Sequence, residues 1–399
     1  MSELIRANDY VLKAKSTVNG KYRLKYHVMP PAGWMNDPNG LVYFKGKYHL
    51  YYQYNPYDTR TGKMCWGHAV SEDLVTYSEG GVALAHDGEH ESVFSGGAIE
   101  TGGTITAYYT LHVECGETKT EEVYAGASAD GNAFSNVTKV FDNETLPENI
   151  SRTDFRDPCP VKIGDTYYVF VGGKDILKNA GVIVVLGGKS PEKLEYKFYI
   201  GPFCELGDMG ECPSYFKVNG KDVLLASGCR VQERGNDFKN TNASVFIVGD
   251  LDFEKGEMKV DFIKEIDKGD AFYAPQFVRG ADKPVMIAWF ETWDKPYPTN
   301  DMGHGWVGAF TMPRIIEYKN GDIFQSPVDG LNAYRYEVCE GEVPESADIS
   351  FEFCGEGALT LEGDNGKVTV GNDGGVYLDT RFANNSNGCI RRTNGNYGR

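Results

Sequence analysis

The stretch from Asn36 to Gln53, "NDPNGLVYFKGKYHLYYQ", decides the fold. Its opening, Asn36-Asp37-Pro38-Asn39-Gly40, is turn chemistry: Asn, Asp and Gly tolerate left-handed backbone, and Pro fixes its own φ. An aromatic and aliphatic run follows at once and alternates as a strand, a Gly-containing turn and a second strand. Alone, NDPNG reads as an ordinary Asx turn. It means more if a carboxylate at the mouth of a hairpin recurs along the chain.

Four later stretches repeat the plan of a small or acidic residue beside Pro or Gly, a strand, a Gly turn and a second strand. They are "FSGGAIETGGTITAYYT", "RDPCPVKIGDTYYVFVG", "ECPSYFKVNGKDVLLASG" and "YAPQFVRGADKPVMIAWF". Aligning Asp37, Ser95, Asp157, Glu211 and Ala274 gives spacings of 58, 62, 54 and 63 by subtraction. Repeats of this length and strand content predict a five-bladed β-propeller, an all-β fold. The aligned residues are expected to open the innermost strand of each blade and to face one end of the central channel. Asp37, Asp157 and Glu211 would then meet in one pocket.

Composition agrees. The 399 residues include 48 Gly and 46 Tyr plus Phe, which suits many short strands and tight turns. A formal charge of −17 argues against nucleic acid or an anionic membrane surface as a partner. The start shows no apolar stretch of signal-peptide type, and no segment approaches the roughly 20 apolar residues of a membrane span. Nine cysteines without C-x-x-C spacing predict neither a disulfide framework nor a structural zinc site. The expectation is a soluble, reduced, cytoplasmic protein. Past about Gln325 the pattern changes to alternating strands with polar turns. Residues 1–21 read as an N-terminal arm, 22–331 as the propeller, and 332–399 as a short, unfinished β-sandwich or attached sheet with a tail. A second copy of the chain could cover the exposed edges of that sheet.

Three converging carboxylates suit glycosidic bond cleavage, in which one carboxyl protonates the leaving oxygen and another attacks or activates water. The surroundings of "GECP" predict a raised pKa for Glu211, and Arg156 is expected to keep Asp157 ionised. The His residues are dispersed, so a metal centre is not expected. Trp34, Trp66, Phe94, Trp289 and Trp293 are each either core or stacking surface for sugar rings, with Asn36 and Gln53 as amide partners for hydroxyls.

"WMNDPNG", "FSGG", "FRDP", "ECP" and "FYAPQ", in this order, resemble glycoside hydrolase family 32, the β-fructofuranosidases, over roughly residues 22–331. The resemblance implies a propeller followed by a β-sandwich and a retaining double displacement on a terminal fructosyl unit, with no cofactor. It implies Asp37 as nucleophile, Glu211 as acid/base and Asp157 as transition-state stabiliser. Asn36, Gln53, Trp66, Phe94, Ser95, Arg156, Tyr273 and Trp293 would line the sugar site. The substrate would be a small neutral or phosphorylated sugar: sucrose, sucrose 6-phosphate or a short fructo-oligosaccharide. Thr61 stands where the family often has Trp, and Gly210 and Ser214 depart from the usual residues around the acid. The alternatives are an inverting arabinan- or xyloside-acting hydrolase of the same architecture, and a sugar-binding propeller without turnover.

Overall fold

The computed structural model describes residues 1–293, 295–335, 349, 352–363, 366–383 and 390–393. Among the described residues, five antiparallel sheets follow one another, each starting from an inner strand and meandering outward. The inner strands are β1 (Gly33–Phe44), β2 (Glu91–Thr101), β3 (Ile150–Ile163), β4 (Gly210–Val218) and β5 (Tyr273–Phe277). Each packs against the next, and β5 returns to β1, so the five close a ring. This is the layout of a β-propeller.

Between neighbouring sheets lies an apolar layer. Val42, Phe44, Tyr51 and Trp66 of the first sheet meet Ala98, Ile105 and Tyr109 of the second. Equivalent layers join the second sheet to the third, the third to the fourth and the fourth to the fifth. The ring closes through Met35, Leu41 and Leu50 against Val285, Ile287 and Ile315. Each such side chain taken from water contributes about 1.5–3 kcal/mol, so these layers dominate the stability of the ring. A short strand β6 (Trp306–Val307) reinforces the closure by pairing in parallel with Gly33 and Trp34 of β1.

The N-terminal arm is ordered as helix α1 (Glu3–Ala14). Ala7 and Val11, four residues apart and so on one face, join the closing core. Asn8 fastens the helix to the edge of the first sheet: its amide donates to the Val82 carbonyl at 3.1 Å and accepts from the Val82 N–H at 2.9 Å. A sixth antiparallel sheet, Gly357–Gly363, Gly366–Asn372, Val376–Ala383 and Ile390–Arg392, follows the ring. It is tied to the ring by Arg391, which donates to Asp270 at 2.7 Å and to Asn240 at 2.8 Å. Residues 336–348 and the tail from 394 lie outside the described residues.

Candidate active site

In every inner strand, two residues stand opposite one on the neighbouring strand. Asn36 and Asp37 oppose Gln53, Phe94 and Ser95 oppose Thr110, and Asp157 and Pro158 oppose Val171. Cys212 and Pro213 oppose Ala226, and Ala274 and Pro275 oppose Ala288. These are β-bulges, which bend a strand and re-aim its side chains. In three of them a left-handed residue precedes the proline: Asp157 (φ 67°), Cys212 (φ 46°) and Ala274 (φ 51°). Proline lacks an N–H and suits a position with no ladder bond. The left-handed residue costs roughly 1–2 kcal/mol, offset by the packing around the kink.

The bulges correct the repeat register. The structurally equivalent residues are Met35, Val93, Arg156, Glu211 and Tyr273, spaced 58, 63, 55 and 62 apart by subtraction. Glu211, Asp157 and Asp37 therefore stand at three successive offsets of one motif. They also lie within their strands rather than opening them. NDPNG is correspondingly a kinked part of β1, with no chain reversal.

Asp37 Oδ2 accepts the Ser95 hydroxyl at 2.8 Å, and the Cys212 thiol lies 3.5 Å from the same oxygen. That thiol is 3.4 Å from Asp157 Oδ2, to which the Cys212 N–H also donates at 2.9 Å. The Asp157 N–H donates to Thr110 Oγ1 at 2.8 Å. Glu211 is held from both sides. Its Oε1 accepts Arg156 Nε at 3.0 Å and Nη2 at 2.5 Å, and its Oε2 accepts the Tyr273 hydroxyl at 2.5 Å. The other arm of Arg156 reaches buried Glu121 at 3.1 Å, which also takes Lys119 at 3.0 Å and the Phe155 N–H at 3.1 Å.

These contacts reverse two expectations from the sequence. Burial, helped by the charge of Glu211, pushes the Asp37 carboxyl up to about 6 against the bonds from Ser95, Asn36 and Cys212. Burial also raises Asp157, with Arg156 opposing it and Glu211 and Asp37 reinforcing it. For Glu211, burial would raise the carboxyl, but Arg156, Cys229 and Tyr273 together outweigh it and the net shift is downward. Arg156 was expected to serve its chain neighbour Asp157; its hydrogen bonds go instead to Glu211 and Glu121, while the left-handed bulge at Asp157 turns that carboxyl to the Cys212 N–H. The balance of these causes thus favours an ionised Glu211 and protons on the two aspartates.

Asp37, Asp157 and Glu211 line one pocket of about 580 Å³, together with Asn36, Gln53, Phe94, Ser95, Arg156 and Trp293. Tyr273 is buried behind it and touches Glu211. Trp66 departs from expectation. It is fully buried in the layer between the first two sheets, and its indole N–H holds the Phe94 carbonyl at 3.0 Å. Trp34 and Trp289 are buried too, so of the five aromatics only Phe94 and Trp293 face the pocket. Gln53 donates its amide to the Val93 carbonyl at 3.0 Å, and Asn36 accepts the Trp34 indole N–H at 2.8 Å. Sequence reasoning missed Thr110, His112, Lys119 and Glu121. The only signal for the first two was the two-residue spacing in "YTLHVE", which puts them on one face of a strand. His112 stacks on Phe94 with ring centroids 4.1 Å apart.

The model of the glycosyl hydrolases family 32 N-terminal domain matches residues 27–327. Sucrose-6-phosphate hydrolase of Escherichia coli is 31% identical over 344 residues, covering 84% of this chain and 70% of that protein. Raffinose invertase of Escherichia coli is 31% identical over 319 residues, covering 78% of this chain and 65% of that protein. Among solved structures, a Bombyx mori family 32 β-fructofuranosidase matches with a TM-score of 0.87 at 31% identity, over 99% of this chain and 87% of that one. A match of the family model across most of the chain, joined by relatives above 30% identity, makes this protein a glycoside hydrolase, and the chain belongs to glycosyl hydrolase family 32.

Proposed function

We propose that the enzyme is a retaining, exo-acting β-fructofuranosidase that releases terminal fructosyl units from sucrose, sucrose 6-phosphate or short fructo-oligosaccharides. The observation that supports it most is the meeting of Asp37, Asp157 and Glu211 around one pocket of about 580 Å³. The activities for which the relatives are named, sucrose-6-phosphate hydrolase and raffinose invertase, point to the same bond. We read the ring as five blades over residues 22–331 and the later sheet as part of a β-sandwich from 332. Among the described residues no helix is long and apolar enough to cross a membrane, and we propose that the enzyme acts in the cytoplasm.

In the first step the Asp37 carboxylate attacks the anomeric carbon of the fructosyl unit while the bond to the leaving oxygen breaks. Glu211 gives that oxygen its proton. Asp157 and Arg156 hold fructosyl hydroxyls. In the second step water loses a proton to Glu211 and attacks the same carbon, freeing Asp37. The first step needs Asp37 ionised and Glu211 protonated, the opposite of the resting preference, while the second starts from the fructosyl ester on Asp37 with Glu211 ionised. Bound sugar supplies the reversal: its hydroxyls donate to Asp37, favouring the ionised form, and accept from Arg156, loosening the clamp on Glu211.

Free fructose released from sucrose, sucrose 6-phosphate, kestose and inulin tests the reading, with the anomer of the first product followed by NMR. Retention is expected; inverted product removes Asp37 as nucleophile. Glu211→Gln is expected to lose about 10²–10⁴-fold on sucrose and far less on an activated aryl fructoside, whose leaving group needs no proton. Equal loss on both counts against Glu211 as the acid.

A further inference from the structure

We infer that the pocket selects uncharged sugars as leaving groups, so that sucrose is cleaved in preference to sucrose 6-phosphate; this rests on the fructosidase reading above. The acids lining the pocket are Asp37, Glu89, Glu114, Glu121, Asp157 and Glu211, against the fixed cations Lys63, Lys119 and Arg156. Even with one proton held by Asp37 or Asp157, negative charge is in excess. Each cation is also turned toward the protein's own acids. Arg156 bridges Glu211 and Glu121, at 2.5 and 3.1 Å. Lys119 sits 3.0 Å from Glu121 and 3.4 Å from Asp154. Lys63 donates to the Gly88 carbonyl at 2.8 Å and lies 3.7 Å from Glu3 of helix α1. His112 lies 3.4 Å from both Glu114 and Glu121.

The adjoining surface supplies no cationic surplus to offset it. Lys63 and Glu89 also line an adjoining groove, where Glu3, Asp9 and Asp87 face Arg6 and Lys13. A phosphate ester carries about −1.5 to −2 charges at pH 7 and needs cationic donors to offset its lost hydration. Here it approaches a field of its own sign in a chain of net charge −17. A neutral glucosyl unit meets no such barrier and can use the same carboxylates as hydrogen-bond acceptors.

The test is kcat/KM for sucrose and for sucrose 6-phosphate on the intact protein at pH 7.5. At low salt, sucrose is expected to be favoured by about tenfold or more. Raising salt from about 0.01 M to about 1 M shortens the screening length from about 30 Å to about 3 Å, and the ratio is expected to narrow. Glu89→Lys is expected to narrow it at low salt as well. Equal or better cleavage of sucrose 6-phosphate at low salt overturns the inference, as does a ratio indifferent to both salt and Glu89→Lys. If neither sugar releases fructose, the fructosidase reading itself falls. Calorimetric affinities then rank the two: tighter sucrose supports a pocket for neutral sugars, and tighter sucrose 6-phosphate overturns it.

Discussion

Asp37 is held up to about 6 by burial, and this single carboxyl links activity to stability. Its folded value exceeds the ordinary 3.8, so its contribution to stability is complete below about pH 4 and is lost as pH rises through 6. Asp37→Asn is therefore expected to abolish turnover and yet to melt higher than the native protein at pH 8, by up to about 3 kcal/mol, with the gap closing near pH 4. Unchanged melting at pH 8 would show that the native carboxyl is not destabilised. The active form also needs one proton, on Glu211, and in the free enzyme that proton resides mainly on the aspartates. As the cluster loses its last proton, kcat/KM is expected to fall on the alkaline side, around pH 7, where Asp157 gives up its proton. A profile flat to pH 9 would mean that the proton comes from elsewhere. The identities of these three acids were legible in the sequence because each sits in a motif with Pro or Gly. Their proton order was not, because it depends on Arg156 reaching Glu211, a residue 55 positions away.

At the scale of the strand, the bulge is the device that gathers the site. Its presence could be read from Pro and Gly recurring beside small or acidic residues, but its register could not. A bulge opposes two residues to one, so any of three neighbouring positions can supply the side chain that reaches the centre. Alignment on the motif residues therefore departs from the structural equivalence by up to two residues, and not at all at Glu211. Close packing between inner strands adds a further constraint. A Cβ on Gly97 of β2 would stand 2.7 Å from Pro160 Cδ and 3.1 Å from Cys159 Cα on β3, three and two residues past Asp157. Gly97→Ala is expected to displace β3, costing about 1–3 kcal/mol of stability and lowering kcat/KM by up to about 10²-fold through Asp157. Native kinetics in Gly97→Ala would show that the strands can separate without disturbing the acids.

For the whole molecule, the ring was legible because its repeats span the chain, while two of its attachments were not. Helix α1 has a weak signature, with Ala7 and Val11 as its buried face, and the docking of the C-terminal sheet rests on Arg391 finding Asp270 over a hundred residues away. Asp270→Ala leaves a buried guanidinium without its carboxylate, which costs about 3–5 kcal/mol. Hydrogen exchange is expected to rise across Gly357–Arg392 and to stay slow in the five inner strands. Faster exchange in those strands as well would show that the ring depends on the sheet. The prolines that follow Asp157, Cys212 and Ala274 have an effect that reaches beyond architecture. They give β3 and β4, which bear Asp157 and Glu211, and the neighbouring β5 little freedom to straighten before a sugar binds. The disorder that must be lost to aim these groups is lost once, when the chain folds, and not again with each sugar that arrives.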